Sequence, residues 1–218
     1  MEEELAQLPK NGLVLYKGRP ARVKEPGEDR LTIQLADGAT QKVRPKDIAL
    51  LHPGPCDPTK LTAVDESQLS EADGVRELLL AEDETLGLQE LAGLLFDDPP
   101  SPQMVWHTWQ LLDEGLLFSG SVEAVSARSD EQVATQRQAR SDATAAANAW
   151  EAFVARVRGG ECEEADADYL RDVENVAENA ATRSRLLKEL GRSENAENAH
   201  VLLLEIGWWN ESRIPHLK

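Results

Sequence analysis

The acidic side chains are the first residues in this sequence that could do chemistry. Glu161, Glu163, Glu164, Asp166 and Asp168 crowd into one short stretch, and Asp97-Asp98 forms a second acidic pair. Metal-assisted phosphoryl transfer needs carboxylates of this kind converging on one point. The simpler reading of the 161–168 run is electrostatic, because carboxylates are favoured at the positive N-terminal end of a helix. His52, His107, His200 and His216 are scattered, and none has a cysteine or carboxylate at a recognised metal-ligand spacing. His200 lies between Ala199 and Val201 and reads as a core-edge histidine. Two cysteines, Cys56 and Cys162, are too few for a structural zinc site or a disulfide scaffold. There is no P-loop, GxGxxG, HExxH or CxxC, so no catalytic residue and no metal ligand is assigned.

The second kind of chemistry is charge recognition. Residues 9–52 hold nine Lys and Arg against five Asp and Glu, a local charge of +4. The first eight residues carry −3 and the whole chain −17, which leaves −18 on residues 53–218. A basic piece on an acidic body is an electrostatic footprint for an anionic partner. Arg22 and Lys24 alternate along one candidate strand, and Lys42 and Arg44 along another, so each pair shares a face. If the two strands neighbour each other, four cations line one surface suited to a phosphate backbone. Lys17, Arg19, Arg22, Lys24, Lys42, Arg44 and Lys46 are the candidate nucleic-acid-binding residues. Tyr16 is the only aromatic in this segment, so base stacking is poorly supplied.

These cations need a small β scaffold. Leu13–Tyr16, Ala21–Lys24, Leu31–Leu35, Gln41–Arg44 and Ala49–Leu51 read as short strands, with Asp37-Gly38 a hairpin turn and Pro45–Ile48 one helical turn. Five strands in so few residues is the pattern of an SH3-like barrel. Pro53-Gly54-Pro55-Cys56-Asp57-Pro58 is a linker. Helices are predicted over 71–82, with Val75, Leu78, Leu79 and Leu80 inward, and around Leu88–Phe96, opened by Glu84-Thr85. A third starts at the cap Ser101-Pro102 and ends at Gly115. Strands at Leu116–Phe118 and Val122–Ala127 complete the order of a winged helix-turn-helix. Its third helix has no Lys or Arg, and only Gln103, His107 and Gln110 as neutral polar handles. That is a poor reader of the major groove. Beyond it, helices are predicted over Asp130–Arg158, about 165–190 and about 194–206, with Val133, Ala143, Ala146, Trp150, Phe153 and Val157 as the apolar side of the first.

Composition sets the limits. The chain has 218 residues, 41% of them hydrophobic, which excludes a disordered chain. No apolar run approaches the ~20 residues of a membrane span. The start, Met1-Glu2-Glu3-Glu4-Leu5, is acidic and is not a secretory signal. With two cysteines, a reducing cytoplasm is the natural setting.

The run Phe96-Asp97-Asp98-Pro99-Pro100-Ser101-Pro102, with Trp106 and Leu111-Leu112 through Gly115, resembles the N-terminal region of ribonuclease II-family exoribonucleases. The resemblance is to a bacterial and plastid-like subgroup, here with a helix-turn-helix in place of cold-shock domains. Ala199-His200-Val201-Leu202-Leu203-Leu204-Glu205-Ile206-Gly207-Trp208-Trp209 and the tail Ile214-Pro215-His216 are similar as well. The resemblance implies 3′–5′ hydrolysis of RNA using Mg²⁺ held by an aspartate cluster, with the tail leading into the catalytic domain. No residue here matches that catalytic signature.

The expected fold is therefore mainly α with a small N-terminal β part. An SH3-like basic barrel at 9–52 precedes a winged helix-turn-helix at 67–127, and a helical region at 128–218 leads to a catalytic domain absent from this chain. The expected function is an RNA-binding accessory region of an exoribonuclease. Its partners are single-stranded RNA and its own C-terminal catalytic domain, and it has no cofactor of its own. The competing reading is a winged-helix adaptor or regulator. That protein would dock a protein partner or DNA through exposed aromatics, Trp106, Trp109, Trp208 and Trp209.

Overall fold

Period-two alternation puts Leu31, Ile33 and Leu35 on one side of a strand and Thr32 and Gln34 on the other, and the structure uses that division. The computed structural model describes residues 8–63 and 66–210. The acidic start at Met1–Leu5 and the Ile214-Pro215-His216 tail lie outside the described residues. Strands β1 (Leu13–Tyr16), β2 (Arg19–Glu25), β3 (Leu31–Leu35), β4 (Thr40–Val43) and β5 (Ile48–His52) form an antiparallel sheet in the order β4-β3-β2-β1-β5. A 3-10 turn, Pro45–Asp47, precedes β5. Val14, Ala21, Val23, Leu31, Ile33, Leu35 and Val43 are buried together on one side of the sheet. Leu13 and Leu51 instead join a second core with Cys56 and the helices that follow.

Those helices are α1 (Glu66–Glu82), α2 (Leu88–Leu95) and α3 (Pro102–Glu114). Short strands β6 (Thr85–Leu86), β7 (Phe118–Gly120) and β8 (Val125–Ala127) pair in the order β6-β8-β7. Four details depart from the sequence reading. Helix α1 starts at Glu66, ahead of the predicted 71. Ala72, Val75, Arg76 and Leu79 form its inner face, so Leu78 and Leu80, about 100° off that face, are left 52% and 38% exposed. Glu84-Thr85 does not open a helix: Asp83 takes φ 51°, and Thr85–Leu86 pairs with β8. The hairpin turns at Ser121–Ala124, beyond the expected Ser119–Ser121, with reciprocal backbone bonds between Ser121 and Ala124.

The chain divides into two compact units between Arg137 and Gln138, inside helix α4 (Asp130–Arg158). Ser129 caps α4: its hydroxyl accepts from the Gln132 amide at 3.3 Å, and Gln132 Oε1 accepts from the Ser129 amide at 3.0 Å. Residues 141–149 are exposed on every side, including Ala143 and Ala146, which the periodicity placed inward. Alanine spacing alone carries no information about which side has a neighbour. From Trp150 onward the expected stripe holds, with Trp150, Phe153, Val154 and Val157 buried.

The predicted helix over 165–190 is two helices, α5 (Ala167–Ala177) and α6 (Arg185–Glu189). Asn179 adopts φ 59°, the Ala180 amide bonds to the Asn175 carbonyl at 2.8 Å, and the Asn179 amide bonds to Val176 at 3.1 Å. This double bond closes α5 as a Schellman motif, with asparagine where glycine is usual. Ser184 then caps α6. Helix α7 (Ala196–Glu205) follows, capped by Asn195. Trp208 and Trp209 are 6% and 4% exposed, and both indole N–H groups donate to Glu174 Oε1, at 2.8 and 3.0 Å. They are core residues of the second unit, not the exposed docking aromatics of the adaptor reading. Trp106 is 8% exposed and likewise internal. Among the described residues no helix is long and apolar enough to cross a membrane.

Arg76 is 3% exposed at the inner face of α1. Its guanidinium donates to Asp73 Oδ1 at 2.7 Å, to the Arg128 carbonyl at 2.8 Å and to Asp130 Oδ1 at 2.8 Å. One side chain therefore ties α1 to the exit of β8 and to the first turn of α4. Burial works against its charge, but its bonds to the Asp73 and Asp130 carboxylates raise its pKa above the ordinary arginine value. Arg76→Met removes all three bonds, and a loss of about 2–3 kcal/mol is expected in urea unfolding. Asp130 is mostly exposed, so Asp130→Asn is expected to cost under about 1 kcal/mol. Equal effects of the two substitutions would contradict the hub role of Arg76.

Candidate nucleic-acid interface

The β sheet distributes the seven candidate cations rather than gathering them. β3 lies between β2 and β4, so the Arg22 and Lys42 strands are not neighbours. Arg22 faces Gln34 across β2–β3, and Lys42 faces Thr32 across β3–β4. The register then slips: Val23 pairs with Ile33, but Glu25 pairs with Thr32, leaving Lys24 as an extra, exposed residue. The slip turns Glu25 onto the outer side, where the Thr32 hydroxyl lies 3.5 Å from Glu25 Oε2. A carboxylate thus stands in the row that ends at Lys42, and the simple alternation assumed for Arg22 and Lys24 does not continue past the bulge.

Two of the cations already have partners. Arg22 is half-buried, and its Nε donates to Gln34 Oε1 at 2.8 Å. Arg44 lies beyond β4, and its Nε is 3.2 Å from Asp47 Oδ2. Lys17 lies in the two-residue turn between β1 and β2 and Arg19 follows it; Lys17 and Gly18 both take positive φ, 50° and 74°. That mirror-type turn suits the twist of a tight hairpin. Lys17 Nζ lies 5.3 Å from the centre of the Tyr16 ring. Lys42, on the edge strand β4, and Lys46, in the 3-10 turn, are exposed.

Helix α3 would have to read a groove if this part of the chain acted on DNA. It is built as expected: the Ser101 hydroxyl accepts from the Met104 amide, Pro102 is the first residue, and Gly115 ends the helix at φ 68°. Its surroundings differ from those of a recognition helix. Val105, Trp106, His107 and Thr108 are four consecutive buried residues, so the helix is covered on most sides. Gln103 bonds to Thr62 and to His107, which uses two of its three polar handles internally. His52 ties β5 to the start of this helix. Its Nδ1 accepts from the Gly54 amide at 2.9 Å, so its Nε2 carries the proton donated to the Pro100 carbonyl at 3.0 Å.

The carboxylates do not fit the Mg²⁺ that the family resemblance implies. Asp166 is 2% exposed and already held: Arg156 donates to Oδ1, and the Glu163 amide donates to Oδ2 at 2.9 Å. Hydrogen bonding to Asp166 is also the main reason the Arg156 pKa is raised. The 161–168 run is thus organised partly by the ion pair between half-buried Arg156 and buried Asp166, which the helix-dipole reading did not include. Asp168 pairs with Arg171, and Asp97 and Asp98 are exposed. Among the described residues no group of three His, Cys, Asp or Glu could hold a metal ion.

Summing residues 53–218 into one negative total concealed a basic segment. Residues 179–192 contain Arg183, Arg185, Lys188 and Arg192, with Glu189 as the one acidic residue. A short charge window along the sequence is the signal that finds them. In the structure they surround α6, a short helix packed beside α5. Residues 133–213 match the HTH_RNase_II family model, a double HTH domain. The helix-turn-helix identified by family comparison is therefore in the C-terminal helices, beyond the 67–127 segment read as winged. It includes the Ala199–Trp209 part of the resemblance and excludes the Phe96–Gly115 part. No curated protein and no solved structure matches the chain.

The linker beside Arg22 offers a direct check on this part of the structure. Thr59 donates to Asp57 Oδ1 through its hydroxyl at 2.9 Å and its amide at 3.2 Å, and these bonds hold the Asp57 carboxyl below its ordinary value. Lys60 and Arg22 add smaller effects in the same direction. Burial pushes the neighbouring Cys56 thiol up to about 11, with Asp57 adding to the rise and Arg22 opposing it. Burial disfavours the thiolate, so little of it exists at pH 8. In a Cys162→Ser background, disulfide-reagent labelling at pH 8 should run on the order of a hundredfold slower than in the urea-unfolded chain. Equal rates would contradict the burial of Cys56.

Proposed function

We propose that this chain is an RNA-handling accessory region of a ribonuclease II-type exoribonuclease that degrades RNA 3′ to 5′. The observation that carries the reading is the double HTH match at residues 133–213. On this reading the chain supplies binding and positioning, while Mg²⁺ and the aspartates that hold it belong to a catalytic domain outside these residues. The partners are single-stranded RNA and that catalytic domain.

The β part supports the reading as an SH3-like barrel. Its strand order, with a 3-10 turn before a last strand that returns to β1, is compatible with that fold. Of the candidate cations, Lys17, Arg19, Lys24, Lys42 and Lys46 are exposed with no ion-pair partner among the described residues, and a phosphate chain needs charge rather than base-specific geometry. Residues 67–127, with α3 packed inside, serve as a rigid support between the barrel and α4. Buried Trp106, Trp208 and Trp209 weigh against the adaptor reading, because a docking aromatic has to reach its partner.

Fluorescence anisotropy of a labelled single-stranded oligoribonucleotide tests the proposal. Binding should weaken linearly in log–log form as salt rises. Changing Lys17, Arg19, Lys24 and Lys42 together to Ala should flatten the slope by up to about 3, from about 0.7 per phosphate contact. Arg22→Ala and Arg44→Ala should change it far less, since both side chains are already engaged. The chain with Mg²⁺ or Mn²⁺ should release no mononucleotides. Absence of RNA binding, or hydrolysis by the purified chain, would overturn the reading.

A further inference from the structure

The cations of residues 179–192 converge with one from the end of α4. Arg185 and Lys188 are exposed and one turn apart on α6, a spacing that brings side chains about 5–6 Å from each other at Cβ. The Arg185 guanidinium carbon sits 3.9 Å from the centre of the Trp150 ring. A guanidinium stacked on an indole is held in one place while its in-plane N–H donors stay available to an oxyanion. Arg158 reaches the same place from α4: its Nη2 donates to the Glu189 carbonyl at 3.2 Å. Among the described residues no ion pair engages Arg158, Arg183, Arg185 or Lys188. Arg192, by contrast, is spent on Glu205 at 2.6 Å.

We infer that the face formed by α6 and the end of α4 is a phosphate-binding surface for single-stranded RNA, with Arg158, Arg185 and Lys188 at its centre and Arg183 at its edge. The inference deepens the proposed function and rests on it. Helix α7 carries no Lys or Arg, so a groove-reading role for it has no charge to draw on. The nearby carboxylates are Glu189, on α6 itself, Asp172, whose Oδ2 accepts the Arg185 amide at 2.8 Å, and Glu194, whose Oε1 accepts the Ser184 amide at 2.7 Å; these last two are turned to the backbone at the start of α6. The contacts are made to phosphate oxygens, by bidentate guanidinium bonds from Arg185 and charge attraction from Lys188.

The test uses the full chain and a fluorescein-labelled 20-nucleotide oligouridylate. Replacing Arg158, Arg185 and Lys188 together by Gln should shift the salt slope by about 2 and weaken binding about a hundredfold at 0.1 M salt, from about 0.7 per contact. Removing the Arg185–Trp150 stack could disturb folding, so Lys188→Ala is measured alongside with circular dichroism on both variants. Among the described residues no side-chain hydrogen bond or ion pair engages Lys188, so Lys188→Ala keeps the backbone bonds of α6, and its loss should weaken binding about fivefold. If wild type binds and the folded Lys188→Ala variant stays within twofold of it, the α6 surface is wrong while the accessory reading stands. If wild type does not bind the oligonucleotide, the accessory reading fails and the α6 surface with it.

Discussion

Four consecutive buried residues in α3 constrain the rest of the first unit. Val105, Trp106, His107 and Thr108 can all be internal only if the helix is packed from several directions, and α2, β5 and β7 supply those neighbours. Burying His107 and Thr108 requires local partners, since an unpaired polar group inside costs free energy. Thr108 answers with a bond from its hydroxyl to the Met104 carbonyl at 2.9 Å, and His107 with its bond to Gln103. The same burial explains why the helix carries no lysine or arginine. It is a spine against which α2, β5 and β7 pack, and in the proposed function the phosphate contacts fall to surfaces elsewhere.

The sequence made this helix legible to the residue, because its signals are local. Ser101-Pro102 and Gly115 act through backbone geometry that no distant contact overrides. Other features depended on partners that lie far along the chain. The side of α1 that is buried was set by Arg76, whose bonds reach Arg128 and Asp130. The break between α5 and α6 turned on one asparagine in a left-handed conformation, a weaker signal than the glycine at the end of α3. The slip at Lys24 moved Glu25 to the outer face, and alternation cannot reveal an inserted residue. These last two matter for the proposed function, since both decide where positive charge gathers.

Charge is arranged on two scales in this molecule. The acidic total is carried largely by exposed carboxylates, some of them already engaged, as Asp73 and Asp130 are by Arg76 and Glu205 by Arg192. Against that background, exposed cations with no ion-pair partner among the described residues stand out more than their number suggests. The β part holds them at the β1–β2 turn, at the bulge and along β4, and the second unit holds them around α6. The candidate RNA-binding residues were thus half legible: Lys17, Arg19, Lys24, Lys42 and Lys46 keep their exposure, while Arg22 and Arg44 are occupied and the α6 cations were hidden inside an acidic total.

Hydrogen–deuterium exchange of the full chain, with and without an oligouridylate, examines the central claim most directly. Amides of 102–114 should be among the slowest to exchange in the free protein and should not change on RNA addition. Slowed exchange on RNA addition is expected in 183–192 and around the 17–19 turn. Protection that appears in 102–114 alone, leaving α6 and the β1–β2 turn unchanged, would make α3 the reader and contradict the division of roles described above.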